Sequence, residues 1–204
     1  MEKLLLATNN KGKVNELRNL LKGVPFELIG LSEAGISTVV EETGQTFEEN
    51  AILKATALAA ESGLLALADD SGLEVDALGG EPGVRSARYA GENATDEERV
   101  AYLLAKLKDV PWEKRTGRVK SVMAVATPSG EVKTVSWEIP VMIALEPQGK
   151  NGFGYDPILF VTAFGKTMAE LPPELKNQVS HRAKAARKVP ALLRKKPFSV
   201  KKRG

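Results

Sequence analysis

The 204-residue chain has no cysteine and one histidine, His181. Without thiols it can build neither a disulfide framework nor a thiolate metal site, and nothing in it signals an oxidising compartment. It also has no apolar run near the roughly 20 residues that a membrane helix requires. Its N-terminal apolar stretch, Leu4 to Ala7, is too short for the core of a secretory signal, so a cytoplasmic protein with no membrane partner is expected. Low-complexity tracts, internal repeats and Gly- or Pro-rich linkers are missing too, so one domain is expected over residues 1–193. Hydrophobic residues at 43% and charged residues at 27% are ordinary globular usage.

The basic balance is local. Arg194, Lys195, Lys196, Lys201, Lys202 and Arg203 carry six positive charges, and setting them aside takes the formal charge from +3 to −3. The body is slightly acidic, and residues 194–204 read as a flexible, solvated basic tail. The basic residues stand in two uninterrupted runs instead of alternating with aromatics that would stack on bases. No stable nucleic-acid partner is therefore expected.

Leu4-Leu5-Leu6-Ala7 reads as a buried strand, followed by a polar loop, Thr8 to Lys13. Val14, Leu17 and Leu21 then form a helical stripe. Thr46-Phe47-Glu48-Glu49 has capping-box spacing, with Ala51, Ile52, Ala55, Leu58 and Ala59 as the apolar face and Gly63 as the stop. Leu64 to Ala68 reads as a second buried strand, ended by Asp69-Asp70-Ser71-Gly72. The Gly- and Pro-rich residues 79–91 form a loop, and a helix starts at Thr95 and runs to about Lys108. Arg118 to Thr127 and Glu131 to Ile139 are strands joined at Pro128-Ser129-Gly130. Ile158 to Val161 is one more strand, and a last helix begins near Ser180 and passes Val189. The fold class is α/β: a mixed, twisted β-sheet flanked by helices, with at least one antiparallel hairpin in an otherwise partly parallel sheet.

Four constellations carry chemistry. Thr8, Asn9, Asn10, Lys11, Gly12 and Lys13 sit at a strand-to-helix junction, where unpaired N–H groups and two ammonium charges suit phosphate. This is not a Walker A loop, so a P-loop kinase is excluded. Glu41-Glu42 and Asp69-Asp70 supply clustered carboxylates, which suit a hard cation such as Mg²⁺ or Mn²⁺. If Asp69 and Asp70 are both extended they point to opposite faces, and only one can serve the site. In residues 149–157, Phe153 stands between Gly152 and Gly154 and is followed by Tyr155 and Asp156, a loop able to stack an aromatic on a planar base. Lys176, His181 and Arg182 form a set rich in hydrogen-bond donors.

Together, Ala7-Thr8-Asn9-Asn10-Lys11-Gly12-Lys13, Glu41-Glu42-Thr43-Gly44, Thr46-Phe47-Glu48-Glu49-Asn50-Ala51 with Lys54, Asp69-Asp70-Ser71-Gly72, Pro82 to Tyr89, Gly152 to Pro157 and Ser180-His181-Arg182 resemble the inosine triphosphate pyrophosphatase family, also called XTP/dITP diphosphatases. The strings stand in the family's order and cover residues 3 to about 193. The resemblance implies two lobes around a central cleft, and a homodimeric enzyme that splits non-canonical purine nucleoside triphosphates (ITP, dITP, XTP) into monophosphate and pyrophosphate. It implies that residues 8 to 13 and Lys54 hold the triphosphate, and that Glu41 and Asp70 hold magnesium, or manganese in its place. It further implies Asp70 as general base, Ser71 lining the substrate, and Phe153, Gly154, Tyr155, Asp156, Lys176, His181 and Arg182 enclosing and reading the base.

Two local departures stand out: Ile139 to Val141 replace a glycine-bearing stretch, and Gln148 follows Pro147 where arginine is usual. The donors of Lys176, His181 and Arg182 match an oxygen at purine position 6 and mismatch an amino group. A pyrophosphatase for modified pyrimidines is the enzymatic rival. A non-enzymatic nucleotide- or RNA-binding module using the basic tail is the other.

Overall fold

A computed structural model describes residues 1–194 and Phe198. The tail expected to be flexible otherwise lies outside the described residues. The chain divides into two compact units: Met1–Asp70 with Ser121–Trp137 and Arg182–Gly204, and Ser71–Lys120 with Glu138–His181. It passes from one to the other at the Asp70–Ser71 and His181–Arg182 bonds, among others.

In the first unit, β1 (Glu2–Leu6) pairs in parallel with β2 (Phe26–Gly30) and with β3 (Leu65–Val75), Leu4 facing Leu28 on one side and Leu65 on the other. Parallel neighbours require a crossover, and helices provide both: α1 (Lys11–Leu20) leads to β2 and α2 (Phe47–Ser62) to β3. Leu4, Leu5 and Leu6 have no exposed surface, which is why β1 reads as an unbroken apolar run. Leu4, Leu6, Leu17, Leu67, Met123 and Val125 form the centre of one core, which Phe198 also joins.

Helix α1 starts at Lys11, not at Val14, because Asn10 caps it: the Asn10 side chain accepts from the Lys13 backbone N–H. Helix α2 keeps the expected limits. Thr46 caps its start by accepting from Glu49 N–H, and Gly63 ends it in the left-handed conformation at φ 66°. The Glu49 carboxylate reaches past the cap to accept from Gln45 N–H at 2.6 Å.

The acidic string Asp69 to Gly72 does not end its strand; β3 continues to Val75. Asp69 and Asp70 are buried strand residues, and the pleat turns them to opposite faces.

The second unit has its own core around Leu73, Val75, Val100, Leu103, Val119 and Ile143. Here α3 (Asp96–Lys106) begins with a complete capping box between Thr95 and Glu98. Strands β4 (Thr116–Ala126) and β5 (Val132–Ile143) are joined by the expected turn, closed by Gly130 N–H to Thr127 C=O. Short antiparallel strands β6 (Leu159–Val161) and β7 (Lys166–Thr167) complete the strand order β2-β1-β3-β4-β5-β6-β7. The sheet is mixed, as expected, and Ile139 to Val141 lie within β5 without interrupting it.

Residues 83–88 form 3₁₀ turns inside the expected loop. The single C-terminal helix expected from Ser180 is divided into α5 (His181–Ala186) and α6 (Val189–Leu193), with Pro190 in the first turn of α6. A further helix, α4 (Pro173–Val179), precedes them. No described helix is long and apolar enough to cross a membrane.

Candidate active site

The two aspartates of β3 have different surroundings. Asp69 is fully buried: Lys13 Nζ lies 2.8 Å and Arg182 Nε 3.2 Å from its Oδ2, and Ser121 Oγ donates to its Oδ1 at 2.6 Å. Arg182 also donates from Nη1 to Glu16 Oε2 at 2.6 Å. Burial pushes the Asp69 carboxyl up, but Lys13 and Arg182 outweigh it and hold the group well below the usual carboxylate range. For Arg182, burial works against the charge and Asp69 with Glu16 more than restores it.

Asp70 shares one lysine with another acid. Lys54 Nζ, carried by α2, donates to Asp70 Oδ1 at 3.0 Å, to Glu42 Oε1 at 2.5 Å and to the Asp69 carbonyl at 3.0 Å. Burial pushes Asp70 up to about 6; Lys54 opposes this and Glu42 adds to it. Lys54 is itself raised, because its two carboxylates outweigh burial. The two upward shifts have different leading causes: burial raises Asp70, which its share of one ammonium does not offset, whereas two carboxylates hold Lys54 charged against burial.

The second Asp70 oxygen, Oδ2, is buried and receives no hydrogen bond. A buried carboxylate oxygen without a donor is expensive, and a cation would satisfy it. Among the described residues no group of three or more His, Cys, Asp or Glu converges, so an all-protein cage is absent there. Magnesium suits this arrangement, since it takes one or two carboxylates and fills the rest with water and substrate phosphates. Of the acidic pair, Glu42 is the residue held beside Asp70, whereas Glu41 has an exposed side chain on the same loop.

The loop from Thr8 to Lys13 is ordered by its own side chains. Thr8 Oγ1 accepts from Asn10 N–H at 3.2 Å, and Asn10 Oδ1 accepts from Lys13 N–H at 3.0 Å. The N–H groups of Lys11 and Gly12, in the first turn of α1, have no intrahelical acceptor. An open groove of about 380 Å³ runs beside them, lined by Thr8, Asn9, Lys11, Arg18 and Ser32 among others.

Within the second unit, Lys176 Nζ is 2.5 Å from Asp156 Oδ2 and lies 5.1 Å from the centre of the Phe153 ring. The Phe153 N–H donates to the same Asp156 oxygen at 2.9 Å. Gly152 has φ 83°, and a Cβ there would stand 2.0 Å from Asp156 Oδ2, so only glycine lets the loop close over this pair. Gly154 N–H donates to Asp96 at the start of α3, and Tyr155 Oη donates to the Ser86 carbonyl. Ser71 and His181 are half-buried members of this unit. Arg182, expected with Lys176 and His181 as a base reader, is buried with its guanidinium on Asp69 and Glu16.

Residues 4–192 match the family model of the Ham1 family. The chain belongs to the Ham1 family. It is 52% identical over 185 residues to the dITP/XTP pyrophosphatase of Geobacter sulfurreducens, covering 91% of this chain and 93% of that one. The enzyme of the same name from Bacillus subtilis is 47% identical over 193 residues, covering 95% and 98%. Among solved structures, a HAM1 protein from Coxiella burnetii superposes with a TM-score of 0.86 at 42% identity, covering 95% and 98%. The mixed sheet with flanking helices is therefore the Ham1 fold.

Several residues of this Ham1 site were not singled out from sequence. Glu16 carried a faint signal, three residues after Lys13 in α1 and so on the same helical face. Ser121, a polar residue in the apolar half of β4, carried another. The bonds donated by Gly44 N–H to Asn50 and by Gly154 N–H to Asp96 had none, because each depends on a loop folding back onto a helix start.

Proposed function

We infer that this Ham1-family chain is a nucleoside triphosphate pyrophosphatase that hydrolyses the non-canonical purine nucleotides ITP, dITP and XTP to monophosphate and pyrophosphate, removing them from the nucleotide pool. The observation that carries the reading is Asp70: a buried carboxylate with one oxygen on Lys54, the other without a donor, and a proton affinity raised towards neutrality. Such a group suits a general base.

In this reading a water oxygen bonds to the α-phosphorus, its proton passes to Asp70, and the bond from that phosphorus to the α–β bridging oxygen breaks to release pyrophosphate. Lys13, Lys54 and the N–H groups of Lys11 and Gly12 bind the triphosphate and meet the growing charge of the leaving group. Asp69 keeps Lys13 from swinging into solvent. Asp70 and Glu41 would hold magnesium (or manganese), which would supply charge neutralisation on the triphosphate oxygens, while Glu42 keeps Lys54 in place.

In the second unit Phe153 offers a stacking face for the base, and Lys176 and His181 offer donors towards an oxygen at purine position 6. Their mismatch with the adenine amino group is the source of selectivity. Arg182 contributes through Asp69 and Glu16. Ser71 lines the substrate next to Asp70. A homodimer acting in the cytoplasm belongs to the same reading; the exposed Tyr102, Trp112, Leu145 and Phe164 are apolar surface of the second unit that such an assembly would cover.

The test is pyrophosphate release from ITP, XTP, ATP and GTP with and without magnesium, beside Asp70→Asn. Magnesium-dependent hydrolysis of ITP and XTP, abolished in the variant, upholds the reading. Well-folded protein that hydrolyses no triphosphate sinks it and favours a binding module instead, tested by deleting residues 194–204.

A further inference from the structure

Asn50, in the first turn of α2, has no exposed surface. Its Oδ1 accepts from the Gly44 backbone N–H at 2.8 Å, while its Nδ2 is buried and donates to nothing. An apolar side chain would occupy this position without leaving a buried donor unsatisfied, so the acceptor is what the position requires. Gly44 is the only residue type that fits against it: a Cβ there would stand 2.7 Å from Asn50 Oδ1 and 2.7 Å from Glu49 Cβ.

The neighbouring bonds act on the same segment. Gln45 N–H donates to Glu49 at 2.6 Å, and Thr46 caps the helix through Glu49 N–H. Residues 44–46 are thereby bound to the first turn of α2. Lys54 lies one turn further along that helix, with Nζ on both Glu42 and Asp70.

We propose that Asn50 is a positioning residue for the acidic loop: through Gly44 N–H it fixes Glu41 and Glu42 relative to Lys54 and Asp70, and so sets the affinity of that site for a divalent cation. The proposal rests on the metal-site reading above. Asn50 touches neither substrate nor metal. Its amide, unlike an aspartate, supplies the acceptor without adding a negative charge beside acids that already share one lysine.

The test compares Asn50→Ala, Asn50→Asp and Gly44→Ala by backbone hydrogen exchange of residues 41–46, the magnesium concentration for half-maximal pyrophosphate release, and kcat at saturating magnesium. Asn50→Ala should lose exchange protection in 41–46 and raise the magnesium requirement about tenfold, with kcat at saturation within about threefold of wild type, as expected for an outer partner of a ligand. Asn50→Asp, which keeps the acceptor, should retain the protection. Gly44→Ala should reproduce the Asn50→Ala pattern with Asn50 intact, and it decides the matter if Asn50→Ala does not fold. Wild-type protection and magnesium requirement in both alanine variants overturn the proposal, whatever their thermal stability. If wild type shows no magnesium-dependent hydrolysis, the metal-site reading fails instead; the exchange data still report separately whether Asn50 holds the loop.

Discussion

The Lys13 ammonium lies 2.8 Å from Asp69, a carboxylate with no exposed surface. Asp69 is thus the counter-charge of Lys13 at the start of α1 and of Arg182 in α5. Removing it takes from Lys13 its buried carboxylate and leaves Glu16 as the remaining acid on the buried Arg182. Asp69→Ala should cost about 3–5 kcal/mol, read as a shift in the midpoint of urea unfolding at pH 7. Because the folded-state pKa of Asp69 is depressed, its contribution is complete above the ordinary carboxylate value and is lost as pH falls below it. The wild-type and Asp69→Ala midpoints should therefore converge on acidification; a constant gap would show that Asp69 stabilises by packing alone.

Asp70 has the opposite sign. Its folded pKa is raised to about 6 in the metal-free protein, so its ionisation favours folding less than an exposed aspartate would. The favourable contribution of the protonated form is present below the unfolded value and disappears as pH rises through about 6. Asp70→Asn should stabilise the metal-free protein by about 1–3 kcal/mol at pH 8 and by much less at pH 4. Equal stability of the two proteins at pH 8 would mean that Lys54 compensates Asp70 fully.

Glu41 and Glu42 should separate by phenotype. Glu41→Gln should raise the magnesium concentration for half-maximal activity about tenfold or more. Glu42→Gln should lower the Asp70 pKa, since it removes a like charge and leaves Lys54 to Asp70 alone. Titration of the Asp70 carboxyl by carbon NMR in metal-free protein reads this directly. An upward shift would mean that Lys54 leaves Asp70 once Glu42 is neutral.

On the proposed reading, in which Lys176 donates to the base, Lys176→Met should reduce the preference for ITP over ATP by at least about tenfold, since the adenine amino group would no longer be rejected. The ratio of kcat/KM values for the two nucleotides is the readout. Unchanged selectivity with a weaker fold would confine Lys176 to pairing with Asp156 under the Phe153 ring.

Much of the chain was legible from local rules. The limits of α2 follow from Thr46 and Gly63, the start of α3 from Thr95 and Glu98, and the turn between β4 and β5 from Pro128-Ser129-Gly130. These are interactions within a few residues, so residue type and spacing suffice. Strand β2 is not evident from the sequence although Gly23 and Pro25 precede it and Gly30 closes it, because Phe26-Glu27-Leu28-Ile29 is too short to show a period. The division of the last helix before Pro190 was missed as well, although the proline was there to be read.

The sequence by itself determined which groups are available: two adjacent aspartates, an acidic pair, Lys11, Lys13 and Lys54 for anions, the donors of Lys176, His181 and Arg182, and a Gly-Phe-Gly loop. Only the tertiary structure decided how they are apportioned. That β3 runs through Asp69 and Asp70 without ending is a property of the sheet, because neighbouring strands supply the hydrogen bonds that keep polar residues extended. Once both residues are extended, the pleat sends them to opposite faces: Asp69 meets Lys13, Ser121 and Arg182, and Asp70 meets Lys54. Those partners lie up to 113 residues away in sequence. Charge pairing at that separation is set by burial and packing, for which no local spacing rule exists.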